Sequence, residues 1–161
     1  TRCSRDWSSD VCSSDLKQVE INLNAPEKIM MTADIGEIEI IMNNMVSNAV
    51  KYNRDGGKVF IDIADMGDTV KIAVKDTGIG MTKEEVSRLF GEFVRIKNKK
   101  TQNISGSGLG LSILKRLSNL YKGDVAVVSE PDVGSTFTAT LNKHTSVENP
   151  PENQSEDGEG E

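Results

Sequence analysis

Apolar side chains recur along this chain with two different periods, and the switches between them mark out its elements. In QVEINLN, residues 18–24, Val19, Ile21 and Leu23 alternate with polar neighbours, as in a half-buried strand. KIMMTA, residues 28–33, reads as a short second strand. Asp34 can then cap a helix from about Ile35 to Tyr52, where Ile35, Ile38, Met42, Met45, Val46, Ala49 and Val50 follow the helical period. RDGG ends that helix. KVFIDIAD and TVKIAVKD alternate again around the turn-like MGD and predict a hairpin. TKEEVSRLF starts a short helix, with Thr82 and Glu85 spaced as a capping box. Residues 91–107 carry few apolar side chains and predict a long loop of the functional or disordered kind. Helical spacing resumes in GLGLSILKRLSNLY, and DVAVVSE with GSTFTATL predict two last strands. This order suggests a mixed sheet with helices on one face.

Composition narrows the picture to one domain, because 161 residues with 36% hydrophobic content bury a single core. The net charge of -6 misleads. The stretch from His144 to Glu161 holds six acids and no Lys or Arg, whereas residues 17–143 hold 17 basic and 16 acidic side chains. So balanced a body gives no electrostatic case for nucleic acid, and no apolar run is long enough to span a bilayer. Three regions are therefore expected. Residues 1–16, TRCSRDWSSDVCSSDL, hold both cysteines and the only tryptophan without periodicity, and from Arg5 to Leu16 resemble a translated sequencing adaptor. They are expected to be a non-native or disordered leader; Cys3 and Cys12 lack the partners a zinc site needs. Residues 17–143 form the folded body, and residues 144–161 an acidic, disordered tail.

Three stretches could carry chemistry. In Asp76-Thr-Gly-Ile-Gly80, at the end of a strand, the glycines allow a tight turn and the carboxylate can accept from an amino group such as adenine's; a plain turn is the alternative. In Gly106-Ser-Gly-Leu-Gly110, at the mouth of a helix, free backbone amides can converge on phosphates. The spacing is neither that of a Rossmann loop nor that of a Walker A loop, and a hinge is the alternative. In NNMVSNAVKY, residues 43–52, Asn44 and Asn48 stack one turn apart. An amide oxygen is a hard ligand, so Asn48 could hold magnesium while Asn44 orients a phosphate or water. Lys51 could meet phosphate and Tyr52 lie against a base; a polar seam in the core, or amides facing solvent, is the alternative. All three functional readings ask for one ligand: adenine, phosphates and magnesium.

NMVSNAVKY, DTGIGM, LFGEFVR, GSGLGLS and VGSTF stand in the order and at roughly the separations of the ATP-binding catalytic domain of bacterial sensor histidine kinases. The resemblance covers about Lys17 to Leu141. It implies the Bergerat fold, an α+β two-layer sandwich with a mixed, mostly antiparallel sheet, helices on one face and a flexible ATP lid. It further implies Asn48 as the magnesium ligand, Asn44 and Lys51 on the phosphates, Tyr52 beside the base and Asp76 on the adenine amino group. Gly78 and Gly80 would shape the pocket floor. Phe90 and Phe93 resemble the lid aromatics, with Arg95 on phosphate, and Gly106, Ser107, Gly108, Leu109 and Gly110 resemble the phosphate loop. The family's usual proline before the second lid aromatic is Glu92 here.

The same fold serves gyrase, mismatch-repair and heat-shock chaperone ATPases. Those resemble one another in placing glutamate where this chain has Asn44, and an amide cannot serve as the general base for hydrolysis. The expected activity is thus that of a protein histidine kinase fragment. It would position Mg-ATP for phosphoryl transfer to a histidine on a separate dimerisation domain, upstream of a response-regulator receiver domain in two-component signalling. The alternative is a degenerate nucleotide-binding or interaction module. His144, the sole histidine, is expected to be an exposed tail residue rather than a phosphoacceptor. The expected location is cytoplasmic, within a parent kinase that upstream segments could anchor in the inner membrane, and no direct membrane contact is expected of this fragment.

Overall fold

Every second residue of the central strands is buried, and that alternation explains the layering. The structure is a computed structural model that describes residues 18–89, 101 and 108–144. Its strands are β1 (Glu20–Asn24), β2 (Lys58–Asp65), β3 (Thr69–Asp76), β4 (Asp124–Glu130) and β5 (Gly134–Asn142). They form one sheet in the order β1-β2-β3-β5-β4. β1 runs parallel to β2, with Glu20 opposite Lys58, and the remaining pairings are antiparallel. Val59 and Ile61 of β2, Val70, Ile72 and Val74 of β3, Val125 of β4, and Phe137, Ala139 and Leu141 of β5 are buried on one face. Against that face pack α1 (Ile35–Lys51) over β2 and β3, α3 (Gly110–Leu120) over β4 and β5, and α2 (Lys83–Arg88) beside β4. Each fully buried aliphatic side chain contributes roughly 1.5–3 kcal/mol, so this interlayer core dominates the stability of the sandwich. The mixed, mostly antiparallel sheet with helices on one face is the architecture expected from the sequence.

The helix boundaries follow from local chemistry. The Asp34 carboxylate accepts from the Gly36 and Glu37 amides at 2.8 and 3.2 Å and caps α1. Thr82 and Glu85 form the expected capping box at the start of α2. A long-range contact then sets α1 against α3. Tyr121, fully buried just past the end of α3, donates its hydroxyl proton to Glu37 Oε2 at 2.5 Å and accepts from the Asp34 amide at 3.0 Å. The C-terminal end of α3 is thereby latched to the N-terminal end of α1, and the two helices lie antiparallel.

Two expectations for the N-terminal part change. Residues 28–33 pair with no strand. Thr32 donates its amide to the Lys143 carbonyl at 2.9 Å, while Ile29, Met31 and Ala33 lie against the core and Met30 is exposed. Their alternation is that of an extended segment covering the core, which buries every second side chain without a ladder. Val19, just before β1, is buried and Ile21 within it half-buried, but Leu23 is exposed, because burial fades toward the end of this edge strand. The leader at 1–16, the tail beyond His144 and the loop at 91–107, Thr101 apart, lie outside the described residues.

Candidate functional site

Three segments far apart in sequence meet around the C-terminal half of α1. Asn44, Asn48, Lys51 and Tyr52 follow one another at helical spacing along one stripe, about 12 Å from first to last at the rise of an α-helix. Ile41, Met45 and Ala49, the fully buried stripe, lie next to them. The asparagines are therefore half-buried at the rim of the core, which resolves the cost of placing amides among apolar residues. Asn44 Nδ2 donates to the Ile40 carbonyl at 2.8 Å. Its Oδ1 faces the start of α3, lying 2.5 Å from where a Cβ on Gly110 would sit. Gly108, just before that helix, has a φ of 75°. Among the described residues the Asn48 side chain makes no hydrogen bond. Lys51 Nζ lies 5.4 Å from the centre of the Tyr52 ring, within cation–π reach.

At the other end of the stripe, the segment leaving β3 packs on Tyr52. The Ile79 amide donates to the Tyr52 carbonyl at 3.1 Å, and a Cβ on Gly78 would fall 2.3 Å from that same oxygen. Gly80 has a φ of 61°, and a Cβ there would fall 1.8 Å from the Glu130 carbonyl. The glycines thus let the loop press against protein backbone, α1 on one side and the β4–β5 turn on the other. The need for glycine at these two positions is thus one of packing against backbone.

Asp76 ends β3 with 4% of its surface exposed. Its Oδ1 accepts from the Gly78 amide at 2.7 Å and from the Ser135 amide at 3.3 Å. Burial raises its pKa above the ordinary aspartate value, while the two amides and the nearby Arg54 charge pull the other way. Among the described residues, Oδ2 accepts nothing. A buried carboxylate with one satisfied and one open oxygen suits a neutral N–H donor brought by a ligand.

Sequence reasoning missed the residues that hold this loop in place. Arg54, read only as part of a helix terminator, donates Nε to the Thr77 carbonyl at 2.5 Å and Nη2 to the Gly78 and Asp132 carbonyls at 3.2 and 2.8 Å. Asn53, 3% exposed, donates to the Lys58 carbonyl and accepts from the Arg54 amide, both at 3.0 Å. Ser129 receives the Met81 amide at 2.8 Å. An Asn-Arg pair after a helix has no local signature of such contacts, since the acceptors of Arg54 are carbonyls of distant segments. Phe90, Phe93, Arg95, Gly106 and Ser107, expected in the lid and the phosphate loop, lie outside the described residues. Leu109 and Gly110 start α3, and His144 is exposed past β5.

The residues present fit an adenine nucleotide: an open carboxylate oxygen lies at one end of the α1 stripe, and the Asn44 amide oxygen faces a helix start at the other. Among the described residues no three or more His, Cys, Asp or Glu side chains cluster to hold a metal. A cation here would rest on amide oxygen and on oxygens of the ligand.

Residues 33–145 match the family described as histidine kinase-, DNA gyrase B- and HSP90-like ATPase. The chain belongs to this ATPase family. Within it, the resemblance is to sensor histidine kinases, and the chain is their catalytic ATP-binding domain. The sensor-like histidine kinase SenX3 of Mycolicibacterium smegmatis is 33% identical over 136 residues, 84% of this chain and 35% of that protein. Sensor histidine kinase WalK of Bacillus subtilis is 35% identical over 128 residues, 78% of this chain and 21% of that protein. The chain thus spans about a third or less of these relatives. Among solved structures, the catalytic domain of histidine kinase ThkA is similar with a TM-score of 0.66 and 25% identity, over 78% of this chain and 79% of that one. Full-length ShkA in complex with AMPPNP matches with a TM-score of 0.65 and 30% identity, over 80% of this chain and 27% of that one. Among the described residues no helix is long and apolar enough to cross a membrane.

Proposed function

We propose that this histidine kinase ATP-binding domain positions Mg-ATP for phosphoryl transfer to a histidine on a separate domain of a longer kinase, which in turn supplies a response-regulator receiver domain. The observation that carries the reading is Asp76, whose open oxygen closes one end of the Asn44–Tyr52 stripe while the α3 start closes the other. In this reading Asp76 accepts from the adenine amino group, Tyr52 lies beside the base, and Gly78 and Gly80 fix the pocket floor. Asn44 and Lys51 contact the phosphates, as do the backbone amides of the loop from Gly106 through Ser107, Gly108 and Leu109 to Gly110. Asn48 holds magnesium through its amide oxygen. In the same reading Phe90 and Phe93 are the lid aromatics and Arg95 contacts phosphate.

Phosphoryl transfer asks a protein chiefly for positioning and for neutralisation of charge. Magnesium, when bound, would rest on the Asn48 amide oxygen and supply positive charge to offset that of the phosphates. The chain's own part is to hold the base at Asp76, to aim Asn44 and the amides at the start of α3 toward the phosphates, and to present Lys51. Asn44 cannot take a proton from water, which favours transfer over hydrolysis. Residues 17–143 carry the module, its location is cytoplasmic, and the dimerisation and sensor parts belong to the parent kinase.

The test is calorimetric titration with a non-hydrolysable ATP analogue, with and without magnesium. Binding near -6 to -8 kcal/mol, on the order of a micromolar dissociation constant, should strengthen with magnesium, and Asn48→Ala should lose that dependence. A folded chain that binds no nucleotide rejects the reading; a magnesium effect that survives Asn48→Ala rejects the metal assignment.

A further inference from the structure

Arg54 stands outside every motif discussed so far, yet it makes the most extensive polar contacts at the base end of the site. A guanidinium is a rigid fork of five donors with no acceptor. Here Nε and Nη2 reach three main-chain carbonyls on two separate segments. Two of them, Thr77 and Gly78, directly follow Asp76; the third, Asp132, lies at the tip of the β4–β5 turn. That turn leads through Gly134 to Ser135, whose amide donates to Asp76 Oδ1 at 3.3 Å. The Gly78 amide donates to the same oxygen at 2.7 Å. Both backbone amides that orient the carboxylate therefore belong to segments pinned by one side chain.

The anchorage of Arg54 is itself fixed. Its amide donates to the buried Asn53 side chain, and its carbonyl accepts from the Gly57 amide at 3.1 Å. The guanidinium thus bridges the end of α1, the loop after β3 and the β4–β5 turn from a rigid base. Its charge also favours the ionised, accepting form of the carboxylate next to it.

We propose that Arg54 is a positioning residue for base recognition: its clamp on the Thr77, Gly78 and Asp132 carbonyls sets the gap between the two segments and so aims the open oxygen of Asp76. This rests on the reading of Asp76 as the acceptor of the adenine amino group. Lysine would keep the charge but not the fork, so geometry and charge are separable.

The experiment compares ATP with inosine triphosphate, which replaces the amino donor by a carbonyl, on the full chain and on its Arg54→Lys and Arg54→Gln variants. Folding is checked by circular dichroism. The unmodified chain is expected to prefer ATP on the order of ten- to hundredfold, the scale of one hydrogen bond to a charged group. Both variants should lose most of that preference while keeping the ratio of ATP to ADP affinity, which reports the phosphate end. Should Arg54→Gln fail to fold, the readout from Arg54→Lys decides. An unchanged ATP preference in a folded variant overturns the proposal, as does an equal loss of both nucleotides, which marks a merely structural role. Full rescue by Arg54→Lys overturns the fork in favour of charge alone. If the unmodified chain does not distinguish the two nucleotides, the assignment of Asp76 falls and takes the proposal with it; failure in the variants alone leaves Asp76 standing.

Discussion

At Asp76 the proposed binding role and stability pull in opposite directions. Burial raises the folded-state pKa of this carboxyl, so the folded chain holds the proton more tightly than the unfolded chain does. The resulting stability is fully present below the unfolded aspartate value, about 3.9, and is lost as pH rises through the folded value. At neutral pH the ionised carboxylate therefore costs stability. Asp76→Asn keeps an oxygen for the Gly78 and Ser135 amides but removes the charge. Without nucleotide the variant is expected to melt higher than the unmodified chain at pH 7, with the difference shrinking as pH falls through the folded value; thermal melts between pH 4 and 8 read this directly. The same variant should bind ATP more weakly by on the order of 1–3 kcal/mol, and unchanged affinity in calorimetry would remove Asp76 from the base pocket. Such a site, more stable once its function is lost, is common where a charge is held ready for a ligand.

Among the elements, the Tyr121 latch links helix packing to site geometry. Burial and the Glu37 carboxylate beside it push the Tyr121 hydroxyl up to about 12. Because the folded value lies above the ordinary one of 10.0, the latch contributes its full stability below pH 10 and loses it as pH rises from there through about 12. Tyr121→Phe removes the donor to Glu37 and the acceptor for the Asp34 amide. Urea unfolding at pH 7 is expected to show a loss of about 1–3 kcal/mol, and the gap between the two chains should close in that alkaline window. A variant as stable as its parent at pH 7 would show that α1 and α3 are held by apolar packing alone. The helices were legible from their 3.6-residue period and caps, whereas the latch was not: Tyr121 and Glu37 are 84 positions apart.

Taken as a whole molecule, the sandwich carries its site on one edge of the helical layer, and every group assigned to nucleotide lies between residues 44 and 110. Removal of residues 1–16 and 144–161 is therefore expected to leave ATP affinity within roughly twofold, less than about 0.4 kcal/mol. Titration of the shortened and the full chain side by side measures this, and a tenfold loss on shortening would place part of the site outside 17–143. The near balance of charge in that body, against the six acids that follow it, makes the same comparison at low and high salt informative. Only a contribution from the charges of the removed stretches would differ between the two chains as salt screens it.

Local sequence was enough for whatever depends on local spacing. The strand and helix periods, the Asp34 and Thr82 caps, the Asp76-Thr-Gly-Ile-Gly80 turn and the i, i+4 asparagines all express constraints within a few residues, and they suffice to indicate the α+β class and the nucleotide motifs. Residues 28–33 misled because alternation reports one-sided burial, which a covering segment satisfies as well as a strand does. Tertiary structure decided which oxygen of Asp76 stays open, why Gly78 and Gly80 admit no side chain, and that Arg54 clamps three carbonyls. Those outcomes depend on backbone groups from distant segments, and a backbone carbonyl carries no residue identity for the sequence to reveal.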